Sequence, residues 1–419
     1  MVASFWELWL LIFRTLPLLL TDLRYLLIFS LVFMLVHGQY KRVHAVEKRM
    51  FGLVRGTPIQ DTLRSLGYGL FGGVLASVVF ILVGISLTDT GIAYLWLTAI
   101  VLMLFHPRFL CFSYAGGLIS VSYLLFGVPK VDVSAIMALV AVLHLVEAVL
   151  IRVNGYQNAS PIYVKHSSGK VVGGFSMQQF WPLPFVALIG VIMLNSGIDF
   201  EAINMPDWWP LLRPTTVVPE GHSIVYIMFP VIAALGYSDI AITSLPKVKV
   251  TRSAKDLCVF SAVLLGLALI ADRISALAIV AALFSPLGHE LVIHRGLRRE
   301  QEQAPVFTQS QGVMVLDVYP KSPAETMGLR SGDVITHVNG IIVAGPAQLL
   351  EEMTPWLIDP VLTVENTLAN EEQREVAFKG KIPPIGIIPV PDQQQGVYME
   401  MKRGVAASIL GRWWKKLRR

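Results

Sequence analysis

The sequence predicts a polytopic α-helical membrane bundle followed by a small C-terminal α/β domain, a β-sandwich or barrel with two helices. Of the 419 residues, 54% are hydrophobic and 15% are charged, whereas a typical soluble protein has about 25% charged residues. The mean hydropathy is +0.61, and apolar stretches recur throughout residues 1–300. After residue 305, short β-branched runs alternate with glycine, proline and asparagine, a pattern typical of strands and turns in a soluble domain.

The apolar stretches predict about eight to ten membrane spans, since a straight helical span needs ~20 residues. The first stretch, residues 4–20, contains Arg14, so we expect it to lie in the membrane interface. It lacks a small-residue cleavage site, so we expect no cleaved signal peptide. Gly69 and Gly73 have the spacing that allows close packing between membrane helices. The further candidate spans are residues 23–38, 66–87, 90–105, 109–127, 132–151, 182–197, 224–241, 256–271 and 274–290.

Loop charges predict the side of the membrane on which each loop lies, because cytoplasmic loops are enriched in lysine and arginine. Residues 39–64 contain six basic and two acidic residues, and residues 242–255 are also basic. Residues 198–223 are mainly acidic. The alternation predicts that residues 154–181 form a cytoplasmic loop, which contains a hairpin at 161–175, and that the C-terminal domain is cytoplasmic.

Residues 311–340 contain the element order of the C-terminal domain. Residues 312–318 have the β-branched enrichment of a strand, and Ser322-Pro323 has the residue types that cap and start a helix. Asn339-Gly340 is a hairpin-turn signal. This order resembles a bacterial PDZ domain of the kind attached to HtrA, carboxy-terminal-processing and site-2 proteases, and the resemblance covers residues 305–392.

The PDZ resemblance implies a groove in which a partner peptide is added as a strand beside a helix. Ile385-Gly386-Ile387 resembles the loop with which PDZ domains hold a terminal carboxylate, and the alternative is a plain final strand with a glycine bulge. The candidate peptide-binding residues are Gly312, Val313, Met314, Val315, Leu349, Leu350, Met353, Ile385, Gly386 and Ile387.

The PDZ resemblance makes proteolysis the first alternative, but the sequence lacks the motifs for it. His289 and His294 are five residues apart, which places them about 140° apart on a helix, so they cannot chelate zinc as a His-Glu-x-x-His pair does. The sequence has neither a Gly-x-Ser-x-Gly motif nor a phosphate-binding loop. Cys111 and Cys258 lie in apolar runs and predict neither a disulfide nor a metal motif. We therefore expect no enzymatic activity, no cofactor and no metal.

One polar cluster is predicted at membrane depth. His144 and Glu147 are one helical turn apart in one span, and His289 and Glu290 lie in the last span. Ionisable groups in the membrane are costly and usually face partners. We interpret the four residues as a hydrogen-bonded clasp that fixes the last helix, and the domain after it, against the bundle. The alternative is a metal or proton site.

The C-terminal tail, residues 393–419, combines tryptophans with many lysines and arginines near its end. Such a segment suits the surface of an anionic membrane, so we expect it to bind anionic lipid. The alternative is a disordered basic tail. We expect no nucleic-acid partner.

Short strings along the chain resemble the MinJ-like cell-division topology proteins of Gram-positive rods. They are QYKRV at residues 39–43, PIYV at 161–164, GYSD at 236–239 and SPLGHE at 285–290. The resemblance implies a non-enzymatic adaptor in the bacterial cytoplasmic membrane, at septum and poles, which bridges a DivIVA-type scaffold and a MinD-type inhibitor. The alternatives are a membrane protease or protease regulator and a transporter-like bundle with a sensory PDZ domain.

Overall fold

A computed structural model of the chain has the predicted fold class, a helical membrane bundle followed by a small α/β domain. Among the described residues, five helices are long and apolar enough to cross a membrane. Most of the predicted basic tail lies outside the described residues. The described residues are 2–52, 54–88, 90–194, 205–215, 218–309, 311–353, 358–366, 371–380, 384–392 and 398–400.

The helices of the bundle surround a central one, α7. The helices are α1 (Val2–Thr15), α2 (Leu18–Thr21), α3 (Leu23–Phe51), α4 (Pro58–Val83), α5 (Ile92–Phe105), α6 (Phe112–Phe126), α7 (Val133–Asn154), α8 (Pro246–Arg273) and α9 (Ala278–Glu302). Those long enough to cross a membrane are α3, α4, α7, α8 and α9. In α7, 83% of the apolar window is buried, because α4, α6, α8 and α9 pack around it.

In the described part of the chain, the strands form two sheets, one in the bundle and one in the C-terminal domain. The strands are β1 (Ser160–Lys165), β2 (Val171–Leu194), β3 (His222–Ala241), β4 (Val313–Val318), β5 (Val334–Val338), β6 (Ile341–Ile342), β7 (Val361–Asn366), β8 (Glu371–Ala377), β9 (Ile387–Pro389) and β10 (Met399–Glu400). The short helices of the domain are α10 (Pro323–Thr326) and α11 (Pro346–Glu352). We call the end of the bundle at Asn154 and Glu302, next to the domain, the near end, and the end at Val83 and Val133 the far end.

Helices α5 and α6 form a hairpin that ends beside the middle of α7, so the prediction of two full spans at residues 90–105 and 109–127 is wrong. The helices have 14 and 15 residues, or about 21–23 Å each. Cys111 in the turn between them contacts His144, which lies about 16 Å from the far end of α7 and about 15 Å from its near end. Neither helix reaches the ~20 residues of a full span.

Residues 182–194 and 224–241 are strands, so the two helical spans predicted in this region are wrong. β2 and β3 pair antiparallel from Phe175 opposite Ala241 to Leu194 opposite His222, and they run from the near end of the bundle to its far end. A continuous apolar run fits a buried strand as well as a buried helix.

Helix α4 covers the outer edge of β2 at membrane depth, where a strand edge exposed to lipid would leave polar backbone groups without partners. The Val186 N–H donates a 2.8 Å hydrogen bond to Oγ of Ser77, and Pro184 has no N–H. Gly73 lies so close to the Pro184 carbonyl oxygen that a Cβ would come within 1.9 Å of it, and Gly69, one turn earlier, lies equally close to the Pro182 carbonyl oxygen. The glycines predicted to bring two helices together therefore bring a helix and a strand together.

The C-terminal domain is built around a sheet with the strand order β8-β7-β5-β4-β9, and β6 pairs with β5. Local signals placed its elements correctly. Ser322 caps α10, since its Oγ accepts a hydrogen bond from the Glu325 N–H. Asn339 and Gly340 both have positive φ, 47° and 82°, as a two-residue hairpin turn of this kind requires.

Candidate functional site

The strand edge that a partner peptide could extend belongs to β9 rather than to β4. β4 pairs with β5 on one side and with β9 on the other, so it has no free edge for an added strand. Residues 313–315 are also buried. β4 therefore offers no backbone edge to a peptide, and the peptide-binding role of residues 312–315 stays a prediction. Residues 312–314 instead line a small cleft with Pro346 of α11 and Val390 after β9.

Gly386 fixes the loop that leads into β9. Its φ is 80°, and a Cβ at this position would lie 2.3 Å from Cβ of Ser322, so only glycine fits without strain. The Ile385 carbonyl accepts a 2.9 Å hydrogen bond from the Ala324 N–H. The loop is therefore held against α10, which suits both a carboxylate-binding loop and a glycine bulge.

Helix α11 offers a large exposed apolar side chain beside the cleft. Leu350 is 75% exposed, whereas Leu349 is buried in the domain core. Met353 packs on the same core as Ile385 and Ile387. Leu350 follows the cleft residue Pro346 by four positions, which places both on one side of the helix. Of the three α11 candidates, Leu350 is therefore the one most accessible to a ligand.

The PDZ-like domain docks on the near end of the bundle through an ion pair and a hydrogen bond. The Arg55 guanidinium, between α3 and α4, pairs with the Asp317 carboxylate. Burial raises the pKa of Asp317, and the charge of Arg55 opposes this effect. The Tyr319 hydroxyl donates a 3.1 Å hydrogen bond to the Phe51 carbonyl.

The bundle also contacts β9 itself. The Tyr163 hydroxyl, on β1, donates a 2.9 Å hydrogen bond to the Pro389 carbonyl. Burial raises the pKa of the Tyr163 phenol to about 12, so the hydroxyl keeps the proton that it donates. The Tyr163 ring also makes an edge contact with Phe51, with 5.3 Å between ring centroids. The bundle therefore helps to position β9, and because it occupies the Pro389 carbonyl, the part of the β9 edge that is available to a peptide lies before Pro389.

The linker between α9 and the domain is held by the β2–β3 hairpin. The buried Glu300 carboxylate accepts hydrogen bonds of 2.8 and 2.9 Å from the N–H groups of Ile242 and Thr243. The Gly173 N–H donates a 3.0 Å hydrogen bond to the carbonyl of Phe307, a fully buried residue. These bonds fix the end of α9 and the start of the domain in one orientation.

The structure brings His144 and His289 together, and it adds Cys111 to them. The two imidazole rings lie 5.0 Å apart between centroids. The three side chains each offer one metal-ligand atom, and these atoms all lie within 4.8 Å of one another. The predicted polar cluster is thus centred on a thiol and two imidazoles, and these three side chains could hold a metal ion.

The two acidic residues of the predicted cluster take different positions. Glu290 pairs with Arg108 and accepts a 2.8 Å hydrogen bond from the Tyr114 hydroxyl. Glu147 lies one helical turn after His144 on α7. The clasp role of the four predicted residues stays a prediction.

Sequence reasoning missed Arg108, Cys111 and Tyr114 because they lie far along the chain from both histidines, with no motif spacing between them. The available signal was the shortness of the stretches 90–105 and 109–127. Two helices too short to cross imply a turn at membrane depth, and such turns occur where polar groups find protein partners.

Comparisons with known proteins agree with this architecture. A family model described as a PDZ domain matches residues 314–353. The cell division topological determinant MinJ of Bacillus subtilis (strain 168) is 27% identical over 230 residues, which make up 52% of this chain and 52% of that protein. The chain thus matches about half the length of this curated relative. No solved structure matches significantly. The chain is thus similar to MinJ over about half its length, and its C-terminal domain contains a segment that matches the PDZ family.

Proposed function

We propose that this chain is a non-enzymatic integral-membrane adaptor that recruits and positions cell-division regulators. The observation that carries the proposal is the similarity to MinJ, whose name describes a topological determinant of cell division. A PDZ domain supports the same role, because such domains bind the peptides of protein partners.

The partners that we propose are a DivIVA-type scaffold and a MinD-type division inhibitor, bridged at septum and poles. This pairing rests on the resemblance to the MinJ-like proteins. The basic loops at residues 39–64 and 242–255 favour a PDZ domain on the cytoplasmic side. Both partners would then meet the adaptor on that side of the membrane.

The binding surface that we propose is the edge of β9 together with Leu350 of α11. A peptide added to β9 gains backbone hydrogen bonds from the strand and side-chain contacts from the helix. The contacts between the bundle and the domain, including Tyr163 with Pro389, hold this surface at a fixed position near the membrane. An adaptor that marks a site on the membrane requires such a fixed position.

The proposal is tested by the location of the chain in dividing cells. A fluorescent fusion of the full-length chain is expressed at native level in cells that lack the native gene, beside a labelled MinD-type protein. We expect both signals to concentrate at septum and poles, and the MinD-type signal to spread along the membrane when the chain is deleted. A lipophilic membrane dye in the same cells controls for the extra membrane at the septum.

Uniform membrane staining of the chain, with an unchanged MinD-type distribution on deletion, would contradict the adaptor role. Accumulation of one uncleaved membrane substrate in the deletion strain would instead support a membrane protease or protease regulator.

A further inference from the structure

Cys111, His144 and His289 present three ligand atoms to one point between α6, α7 and α9. Sγ of Cys111 lies 3.1 Å from Nε2 of His144 and 3.9 Å from Nε2 of His289. A tetrahedral zinc ion, with Zn–S near 2.3 Å and Zn–N near 2.1 Å, places sulfur and nitrogen ligands about 3.6 Å apart. The observed separations lie on either side of this value, so one ion fits between the three atoms after small side-chain shifts.

The hydrogen bonds of the two imidazoles decide which nitrogen faces this point without a proton. Nδ1 of His144 lies 2.7 Å from the Val140 carbonyl oxygen, which can only accept, so Nδ1 carries the proton. The Tyr114 hydroxyl donates its proton to Glu290, so its oxygen accepts from Nδ1 of His289 at 3.4 Å. Both Nε2 atoms therefore direct a lone pair toward the Cys111 sulfur.

A protonated Cys111 thiol cannot donate a hydrogen bond to both imidazole lone pairs. One thiol proton can be donated to one of the two imidazole nitrogens, which leaves the other lone pair at membrane depth without a donor. A cation between the three atoms satisfies all of them at once. A thiolate with two neutral imidazoles is a ligand set that suits zinc and related divalent transition metals.

We propose that Cys111, His144 and His289 bind one divalent transition metal ion of the zinc class. The chain also has the outer contacts that such a site needs, since metal-binding histidines donate their other N–H to a carbonyl, carboxylate or hydroxyl. Val140 and Tyr114 accept these bonds. The thiolate balances one of the two positive charges of the ion.

The ion would join three elements at the centre of the bundle. Cys111 lies in the α5–α6 turn, His144 lies midway along α7, and His289 lies midway along α9. The site therefore fixes the turn of a hairpin that does not cross the bundle against the two helices beside it. Because α9 leads into the PDZ domain, the same site stabilises the helix from which the domain extends.

The direct test is the metal content of the full-length chain, purified in mild detergent without chelators and without added metal. We expect close to one equivalent of zinc or a related divalent metal per chain by mass spectrometry. Exchange with Co²⁺ should then produce a thiolate-to-cobalt charge-transfer absorption, which needs no variant and therefore does not depend on the folding of a variant.

Four substitutions locate the metal. Cys111→Ala and His289→Ala each remove one ligand, and we expect at least a tenfold loss of metal, with no charge-transfer absorption in Cys111→Ala. The matched controls are Cys258→Ala on α8 and His294→Ala on α9, because both residues are exposed and neither contacts the site. Both controls should keep the full metal content.

Tyr114→Phe tests the outer contacts, since it keeps all three ligands and removes the acceptor of the His289 N–H. We expect metal affinity to fall about 10–100-fold. Two results would overturn the proposal. One is a wild-type chain that takes up neither native metal nor Co²⁺, and the other is full metal content in both Cys111→Ala and His289→Ala.

Discussion

Ser77 shows how one small polar side chain supports a strand inside a helical membrane bundle. Its hydroxyl donates a 2.8 Å hydrogen bond to the Gly73 carbonyl of its own helix. Its oxygen also accepts the Val186 N–H at 2.8 Å, and both side chains are fully buried. Without Ser77, this N–H would have no hydrogen-bond partner in an apolar environment, which costs about 1–3 kcal/mol.

The substitution Ser77→Ala should therefore lower the free energy of unfolding by about 1–3 kcal/mol. The matched control is Ser261→Ala on α8, where the buried hydroxyl donates only to the Leu257 carbonyl of its own helix. That carbonyl keeps its helical partner, so we expect a change below about 1 kcal/mol. Denaturant-induced unfolding of the detergent-solubilised chain measures the change in the free energy of unfolding for both variants. Equal losses in the two variants would contradict the role given to Ser77.

The cluster of Cys111, His144 and His289 is predictable from the sequence only in part. His144 and His289 are predictable, because ionisable residues in apolar stretches need partners. Cys111 is not, because a thiol in an apolar run looks like an ordinary small apolar residue. Its polar partners come from the tertiary contacts of the α5–α6 turn with α7 and α9.

At the scale of elements, the close approach of α4 to β2 depends on glycine. A Cβ at Gly73 would lie 1.9 Å from the Pro184 carbonyl oxygen and 2.9 Å from the carbonyl carbon. Backbone atoms cannot move aside as a flexible side chain can, so even one methyl group separates the helix from the strand. The same separation would break the Ser77 hydrogen bond one turn further along α4.

Gly73→Ala should accordingly destabilise the chain by about 1–3 kcal/mol, the usual cost of overpacking. Gly266→Ala on α8 is the matched control, since nothing lies within 4 Å of its added Cβ. Alanine favours a helix over glycine by about 1 kcal/mol, so the control should be neutral or slightly stabilising. Thermal unfolding in detergent compares the two. A neutral Gly73→Ala would show that α4 and β2 do not pack as closely as described.

The elements that the sequence predicts best are those with local signals. The cap at Ser322 and the turn at Asn339-Gly340 are predicted from the types of a few neighbouring residues. These two signals also predict where the adjacent strands of the PDZ domain begin and end. The hairpin of β2 and β3 is different, because its apolar runs have no period that separates strand from helix. Pro184 and Pro230 inside these runs were the available warning, since proline disrupts a helix interior.

At the scale of the whole molecule, the two corrected regions leave the predicted order of loops unchanged. Helix α5 begins at the far end and helix α6 ends there. Two predicted crossings are therefore lost, and the chain enters α7 from the same side of the membrane as predicted. The β2–β3 hairpin still runs to the far end and back. The side predicted for each loop from its charges is therefore unaffected, and it stays a prediction.

The PDZ domain and the bundle are joined by a shared buried core. The buried core is continuous from the bundle into the domain, through Phe307, Leu316 and Ile388. The Arg55–Asp317 ion pair adds a polar contact at the rim of this junction. A ligand bound at β9 is therefore held at a defined distance from the membrane, as the proposed adaptor role requires.

The central claim, that the groove of this fixed domain recruits a division regulator, is tested most directly by comparing two lysine substitutions. Leu350→Lys places a charge beside the groove, and Ala377→Lys places the same charge on β8, at the opposite edge of the sheet. Labelled MinD-type protein is imaged in cells that express each variant at equal level. We expect Leu350→Lys to reduce its enrichment at septum and poles at least fivefold and Ala377→Lys to preserve it. Equal enrichment in both variants and the wild type would contradict the claim.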